Sequence, residues 1–474
     1  MTRYTHYHLI GIGGIGMSCI GTLLLSRGVQ VSGSDIKEGK VTLDLARAGA
    51  RIFIGHNRRN IAGADIIVYS SAITQDNPEI AEAKKAGIPL IKRAEALAWL
   101  MQDKLVITVA GSHGKTTTTS LVSYMLLEAG LEPTVAIGGI LRNIDTNAFP
   151  GGGDFFVAEA DESDGSFLCY HPTYSIVTNI DREHLDYYRS FDEEIKAFKE
   201  FLYHTAAGGC VFFCGDDANL VNMQKGYPER SVLFGFDKGC HIYAMNIQLQ
   251  GLSSEFDCYY RHRGSDPLRM KPGLIGRFSL SLGGMHNISN ALSVVGLGLE
   301  LGINRLIIQK ILAQYKGVGR RIEVKYSGRD LTIIDDYAHH PTEIKATLAA
   351  VKNMPCQRMI AVFQPHRYTR TKLLLDEFAG CFDAADYLII TDIYAAGELP
   401  IEGVHARSIY DKLIERFGTK KEIYYMPKNE IVGNLINVIA PGDIVIILGA
   451  GDIVKICDEL VERFKVHSQA QRAS

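Results

Sequence analysis

The sequence is short of several features that would each have fixed a function class. It has one tryptophan, Trp99, in 474 residues. No apolar run approaches the roughly 20 residues of a membrane-spanning helix; each stops at a glycine or a charge. Positive charge is not in excess: 50 Lys and Arg stand against 53 Asp and Glu, a net charge of -3, so no broad field gathers DNA or RNA. The nine cysteines are scattered and form no CxxC. Cys210 and Cys214, spaced as CVFFC inside an apolar run, read as strand core and not as a metal pair. An odd number of unpatterned cysteines suits a reducing compartment. The opening MTRYTHYHLIGIGG lacks the charged and then apolar pattern of a secretory signal. There is no low-complexity tract and no repeat beyond a strand–helix unit. These absences leave a cytoplasmic globular chain, with no nucleic-acid partner and no membrane insertion.

What is present is a run of strand–helix alternations, which implies parallel sheets. The first run extends to about residue 102, a second begins at KLVITVAGSHGKTTTT, and a third starts near Ile322. Between about 241 and 282 the period changes, and HIYAMNIQLQ, SEFDCYYRHR and GRFSLSLGG read as successive antiparallel strands. The length suits about three domains, and the pattern divides them at 1–102, 103–318 and 319–474.

Two glycine-rich loops sit about 100 residues apart. In GIGGIGMS, Gly11, Gly13 and Gly16 match GxGxxG between a strand and a helix, with Asp35 after the second strand where a ribose-binding acid often stands. Three readings remain open on this motif alone: a nicotinamide-type dinucleotide site, a site for another nucleotide diphosphate, or a structural turn. In GSHGKTTTT, Gly111, Gly114, Lys115 and Thr116 lie between an apolar strand and a helix. Backbone N–H groups there can cradle phosphates, Lys115 can reach the outer ones, and the Thr116 hydroxyl can ligate Mg²⁺. The spacing is GxxGKT and not GxxxxGK[ST], since the first glycine of that pattern would fall at Val109. ATP binding is the better reading, against a purely structural turn. Glu159, at a strand end in FFVAEADESD, is placed to reach a metal at that loop, although four acids within six residues also read as a solvated turn. His184, in VTNIDREHLDYY, could be a second ligand or an ordinary structural histidine. Two phosphate loops in separate domains suit an ATP-dependent reaction on a nucleotide-linked substrate.

These motifs, with GMHNISNA, GVGRRIE, DDYAHHPTE and FQPHRYTRT following in order, resemble the Mur ligases over nearly the whole chain. The departures are small: Ser112 stands where threonine is common, and Ile-Asp-Arg-Glu precedes His184 where aspartate is usual. The resemblance implies a three-domain α/β protein. A Rossmann-like amino-terminal domain holds a UDP-sugar, a central P-loop ATPase-like domain carries extra antiparallel strands, and a carboxy-terminal Rossmann-like domain contacts ATP and the amino acid.

Within the family, GIGGIGMS, YSSAI, AEADESD and DDYAHHPTE most resemble the branch that joins L-alanine to UDP-N-acetylmuramate. The implied chemistry is phosphorylation of the lactyl carboxylate by ATP, attack by the alanine amine, and collapse of a tetrahedral intermediate. A recycling ligase that adds a tripeptide is the nearer alternative, and an NAD-dependent oxidoreductase is the alternative from another class.

The resemblance assigns the ATP phosphates to Gly111, Ser112, His113, Gly114, Lys115, Thr116 and Thr117. It assigns two Mg²⁺ ions to Thr116, Glu159 and His184, the adenine side to His286, Asn287 and Asn290, and third-domain ATP contacts to Arg321 and Asp336. Arg320 and Asp335 stay open as alternatives in the two doublets, and GMHNISNA also reads as a plain helix start. UDP-sugar contacts fall on Gly11, Gly13, Gly14, Ile15, Gly16, Met17, Ser18, Asp35, Ser70, Ser71 and Ala72. Alanine contacts fall on Tyr337, His339, His366 and Arg370, which could equally bind phosphate or brace loops. Lys199, near where some family members carry a carbamylated lysine, reads as an exposed helix residue. The expected state is a monomer or weak homodimer.

Overall fold

The computed structural model describes residues 4–261, 273–328 and 330–473. Three sheets carry the chain. The first has strands β1 (His6–Ile10), β2 (Gln30–Asp35), β3 (Arg51–Ile54), β4 (Ile66–Tyr69) and β5 (Leu90–Lys92) in the order β3-β2-β1-β4-β5, all parallel. Helices α1 (Ile15–Ser26), α2 (Lys40–Arg47), α3 (Pro78–Ala86) and α4 (Arg93–Leu100) connect or flank them. The strand order reverses between β1 and β4, and a parallel sheet opens its ligand crevice at such a switch point. Local chemistry sets the boundaries. Asn77 caps α3 by accepting the Glu79 N–H at 2.9 Å, with Pro78 at the first helical position where its missing N–H costs nothing.

The second sheet has ten strands: β6 (Leu105–Ala110), β7 (Thr134–Leu141), β8 (Thr146–Phe149), β9 (Phe155–Glu159), β10 (Tyr174–Val177), β11 (Cys210–Cys214), β12 (Ser231–Gly235), β13 (Ile242–Gln250), β14 (Ser253–Tyr260) and β15 (Gly273–Leu280). Their order is β15-β14-β13-β12-β11-β10-β6-β9-β7-β8. The last three lie side by side at one edge, as their change of period implies; the end of SEFDCYYRHR beyond Arg261 lies outside the described residues. Cys210 and Cys214 are both buried within β11, as core. The antiparallel β7–β8 ribbon has no counterpart in the sequence reading. Its strand AIGGIL and turn RNIDT carry the glycines and polar residues of a loop. The helices of this region are α5 (Lys115–Glu128), α6 (Leu185–Tyr188), α7 (Phe191–Tyr203), α8 (Ala218–Lys225), α9 (Met285–Glu300) and α10 (Arg305–Gln314).

The third sheet contains β16 (Glu323–Ser327), β17 (Leu331–Asp336), β18 (Arg358–Phe363), β19 (Tyr387–Ile390), β20 (Glu422–Tyr425) and β21 (Asp443–Leu448), ordered β16-β17-β21-β18-β19-β20. Only β16 runs antiparallel to its neighbour. One face buries Ile334, Met359, Phe363 and Ile446, the other Ile333, Val362, Val445 and Ile447, so these strands read as near-continuous apolar runs. Helices α11 (Pro341–Val351) and α12 (Tyr368–Leu373) follow β17 and β18.

The chain forms two compact units. The first contains the first sheet and most of the second, up to Lys316. The second takes the chain from Gly317 onward together with Ile247–Glu255 and Leu280–Ile288. The borrowed segments are integral to it: Leu252 packs on its core, and the Gly251 N–H donates to the Asn353 carbonyl at 3.2 Å. Among the described residues no helix is long and apolar enough to cross a membrane.

Candidate active site

In the first unit the glycine turn closes over the switch point. The Gly11 and Ile12 N–H groups donate to the Ser34 carbonyl at 2.8 and 3.0 Å. Gly11 has φ +77°, and a Cβ there would meet Ile73 Cδ1 at 3.4 Å. Ile73 itself closes a turn by donating its N–H to Ser70 O at 3.0 Å, which brings Ser70, Ser71 and Ala72 over the glycines. Asp35 accepts the Gly13 N–H at 2.9 Å, and a Cβ at Gly13 would stand 2.8 Å from that carboxylate. Gly13 is thus small because Asp35 packs on it. Gly14 caps α1 in an extended conformation, and Ile15 begins the helix. Met17 and Ser18 turn inward and are buried, with Ser18 Oγ donating to Ile15 O at 2.9 Å.

The second loop follows β6 and opens α5. Gly111 (φ +122°) could not carry a side chain, since a Cβ would lie 2.3 Å from Thr178 Oγ1; at Gly114 (φ +84°) it would lie 2.7 Å from Asn290 Oδ1. The residues after β10 hold the loop open: the His113 N–H donates to Asn179 Oδ1 at 2.9 Å, and Thr178 Oγ1 donates to His113 O at 2.6 Å. Ser112 is buried, Thr117 half-buried. Lys115 Nζ donates to Gly111 O at 2.7 Å and to both oxygens of Glu162 at 2.8 Å. Burial opposes its charge, but Glu162, Asp161 and Glu159 together hold its pKa above the ordinary lysine value. Glu162 is fully buried, and burial raises its carboxyl to about 7 despite the pull of Lys115, with Asp161 adding to the rise.

Glu159, at the end of β9, accepts from the Thr116 hydroxyl at 2.9 and 3.1 Å and from the Gly138 N–H at 3.1 Å. A Cβ on Gly138 would lie 2.6 Å from that carboxylate. Thr116 and Glu159 therefore present hard oxygen donors side by side, the set a Mg²⁺ ion accepts. His184 has φ +54°, an uncommon conformation for a residue with a Cβ. It points Nε2 to within 3.7 Å of Glu162 Oε1 and 3.8 Å of Glu183 Oε2. On α7 behind them, Glu194 is buried, and burial with the charges of Glu162 and Glu183 lifts it to about 9. Lys199 is exposed on the same helix.

The second unit gathers another set at the carboxyl edge of its sheet. Arg320 Nε donates to Asp335 Oδ2 at 3.1 Å and its Nη2 to Gly449 O at 2.7 Å, while Arg321 Nη1 donates to Glu343 Oε1 at 3.4 Å. Both guanidinium groups lie over the Tyr337 ring, at 5.1 and 5.2 Å. Asp336 is buried and accepts the Ile322 and Ala338 N–H groups at 2.6 Å each; burial lifts its carboxyl to about 6. In HHPTE, His340 Nδ1 caps α11 by accepting the Thr342 N–H at 3.3 Å, Pro341 opens the helix, and Glu343 accepts the His339 N–H at 3.1 Å. β21 separates β17 from β18, yet the His339 and His366 rings approach to 5.4 Å. Arg370 Nη1 donates to His366 Nδ1 at 3.1 Å, and the His366 ring stacks on Tyr394 at 5.7 Å. In this unit His286 lies against Gly284, and Asn287 Nδ2 donates to Gly283 O at 2.8 Å.

The sequence reading did not single out Glu162, Gly138, Glu343 or Tyr394. The only signal for Glu162 was the density of acids after β9. Glu343 has a local signal, since a glutamate at the third position of a helix is a common capping residue; nothing local marks Gly138 or Tyr394, whose partners Glu159 and His366 are distant along the chain.

Three family models match the chain: "Mur ligase family, catalytic domain" over residues 6–105, "Mur ligase middle domain" over 109–298 and "Mur ligase, glutamate ligase domain" over 320–451. The UDP-N-acetylmuramate–L-alanine ligase of Geotalea uraniireducens (strain Rf4) is 45% identical over 97% of this chain and 98% of its own length. That of Syntrophus aciditrophicus (strain SB) is 44% identical over 98% and 94%. The crystal structure of UDP-N-acetylmuramate-alanine ligase MurC from Thermotoga maritima superposes with a TM-score of 0.80 at 28% identity, covering 98% of this chain and 99% of that one. A murein peptide ligase from Psychrobacter arcticus 273-4 shares the fold, with a TM-score of 0.71 at 22% identity over 97% and 98%. With its two glycine loops, its Thr116–Glu159 pair and these matches along nearly all its length, the chain belongs to the Mur ligase family.

Proposed function

We propose that the chain joins L-alanine to the lactyl carboxylate of UDP-N-acetylmuramate at the expense of ATP, releasing ADP and phosphate, in the synthesis of a peptidoglycan precursor in the cytoplasm. The observation that carries this reading is the Lys115–Thr116–Glu159 arrangement on a strand–loop–helix, in a chain 45% identical over 97% of its length to a ligase of that name. Residues 1–102 bind the UDP-sugar, 103–318 bind ATP and 319–474 contact ATP and alanine.

A carboxylate is a poor acyl donor until its oxygen becomes a leaving group. Bringing the γ-phosphoryl group to it sets anion against anion, and Lys115 supplies fixed positive charge there. To do so it exchanges its contact with Glu162 for phosphate oxygens. Thr116, Glu159 and His184 are the residues that would hold Mg²⁺, two ions in all, whose chemistry is to neutralise charge between the phosphates and the attacked carboxylate. The loop from Gly111 to Thr117 is the phosphate cradle; Asn179 holds the Ser112 and His113 N–H groups and so shapes it, leaving the Gly114 and Thr117 end of the loop to face the phosphates. His286, Asn287 and Asn290 serve the adenine side, with Arg321 and Asp336 as contacts from the third domain. Gly11 to Ser18, Asp35 and Ser70 to Ala72 serve the UDP-sugar. Tyr337, His339, His366 and Arg370 serve alanine: the planar guanidinium of Arg370 suits its carboxylate, and a histidine suits the proton its amine loses.

The test is phosphate release from ATP, Mg²⁺ and UDP-N-acetylmuramate with each amino acid in turn. Release is expected with L-alanine. Release with a tripeptide and none with alanine would move the chain to the recycling activity. Saturable NADH binding would contradict the assignment of the glycine turn to UDP.

A further inference from the structure

Arg93 is the first residue of α4 and belongs to neither glycine loop. Its position suits no local partner. The amino end of a helix favours anions, and the acid of this first turn, Glu95, is already used, accepting the Lys92 N–H at 2.7 Å. The guanidinium instead reaches across to the first turn of α1. A Cβ on Gly16 would lie 2.9 Å from Arg93 Nη1 and 3.0 Å from its Cδ, so the last glycine of GIGGIGMS is small to admit this side chain. On its other flank is Asp161, at 3.9 Å, an ion pair too long for a hydrogen bond. About a quarter of the Arg93 side chain is exposed. Among the described residues its five N–H donors make no hydrogen bond. Burial opposes its charge, while Tyr170, Asp161, Asp164 and Glu159 hold its pKa above the ordinary value. A guanidinium held charged, open on one side and without an acceptor is arranged for a ligand that brings oxygens.

We propose that Arg93 binds the diphosphate of the UDP-sugar and positions that substrate between the glycine turn and Glu159. The proposal rests on the ligase reading and adds a residue to it. The amino end of α1 supplies N–H groups for a diphosphate, and Arg93 covers that turn from the side facing Asp161. It reaches the lactyl end only through the sugar. It is a positioning residue: it sets where the chain of atoms from the diphosphate delivers the carboxylate.

The experiment measures binding of UDP-N-acetylmuramate and of UDP-N-acetylglucosamine, which lacks the lactyl carboxylate, to the full chain and its variants by calorimetry, beside steady-state kinetics. Arg93→Ala should weaken both ligands by roughly ten- to a hundredfold. It should raise the KM for the UDP-sugar and leave the KM values for ATP and alanine unchanged. Arg93→Lys should restore part of the loss. Asp161→Asn, which removes the ion pair and keeps Arg93, should leave UDP-sugar affinity intact or tighten it. Loss confined to UDP-N-acetylmuramate would assign Arg93 to the carboxylate and overturn the proposal. Unchanged affinity for both, with a melting temperature lowered equally by Arg93→Ala and Asp161→Asn, would make it a structural strut and also overturn it. Failure of the unaltered chain to bind either UDP-sugar would sink the ligase reading itself, a result distinct from both.

Discussion

Behind each glycine loop of the first unit lies a fully buried glutamate, and the two are treated in opposite ways. Glu79 stands behind the turn at Gly11. It accepts from the Ser34 hydroxyl at 2.6 Å, Asn60 Nδ2 at 2.6 Å and the Asn57 N–H at 3.1 Å, and meets His8 Nε2 at 3.3 Å. Burial alone would raise its pKa, but these donors overcome it and hold the carboxyl below its ordinary value. Glu162 stands behind the loop at Gly111 and leans on the single cation of Lys115, among other acids; its carboxyl rises to about 7. The first carboxylate is a finished piece of architecture, since Ser34 ties it to the turn through its hydroxyl while its carbonyl receives Gly11 and Ile12. On the proposed reading the second is the partner that Lys115 gives up when it turns to phosphate oxygens. A buried acid surrounded by committed donors fixes structure, and one that depends on a single exchangeable charge is ready to be displaced.

The largest effect that tests this contrast should come from Lys115→Ala. Turnover should fall by at least about a thousandfold, since fixed positive charge at a transferring phosphoryl group supplies several kcal/mol. UDP-sugar affinity should stay within about twofold, because Lys115 makes its hydrogen bonds within its own loop and to Glu162 and not to the glycine turn at Gly11. Parallel kinetics and calorimetry check both halves. A joint collapse would mean that the loops are not independent.

Next comes Glu79→Ala, which strands buried donors from Ser34, Asn60 and Asn57. It should destabilise the protein by about 3 to 5 kcal/mol, visible as a lower urea midpoint. Glu162→Gln should cost less, about 1 to 2 kcal/mol, because the amide oxygen still accepts from Lys115, and Asp161 and Glu159 still face that cation. Equal midpoints for the two variants would erase the distinction.

The pH dependence should divide the pair with opposite signs. Glu79 has a depressed folded value, so its stabilisation is present above its unfolded value near 4.5 and disappears as pH falls through the folded one. Glu162 has a raised folded value, so its contribution is present below about 4.5 and is lost as pH rises through about 7. Denaturation curves from about pH 2 to about 8 on Glu79→Gln and Glu162→Gln should flatten the acid limb in the first and the neutral limb in the second. The smallest effect should come from Lys199→Ala, exposed on α7, with stability and turnover within about 0.5 kcal/mol of the parent.

The glycine loops could be read from the sequence because their constraints are local. A turn at φ +77° or +122° admits few residues but glycine, and the flanking strands and helices carry their own periodicities. The three-sheet α/β architecture followed from the same periodicities. The buried acids could not be read in this way. His8 and Glu79 are 71 residues apart, and Lys115 and Glu162 are 47 apart; only the sheet order brings each pair together. The same holds for Arg93 and Gly16. The choice within the Arg320–Arg321 and Asp335–Asp336 doublets depended on which neighbour faces which way. The structure ties Arg320 to Asp335 and surrounds Asp336 with backbone N–H groups. The β7–β8 ribbon was missed because Gly138 serves a close approach to Glu159 and not a turn.

The position of β21 has a consequence for how the protein is made. In the first sheet the central strand, β1, is the first to leave the ribosome, and each later strand finds an edge waiting. In the third sheet the centre is β21, Asp443–Leu448, the last strand of the chain, paired on one side with β17 and on the other with β18. Until it emerges, those two apolar strands have no partner between them. At roughly 5–20 residues per second, the interval from β17 to β21 exposes them for several seconds during every round of synthesis. The first sheet is assembled from its middle outward, whereas the third waits for its keystone, and the interval leaves apolar strand edges open to aggregation.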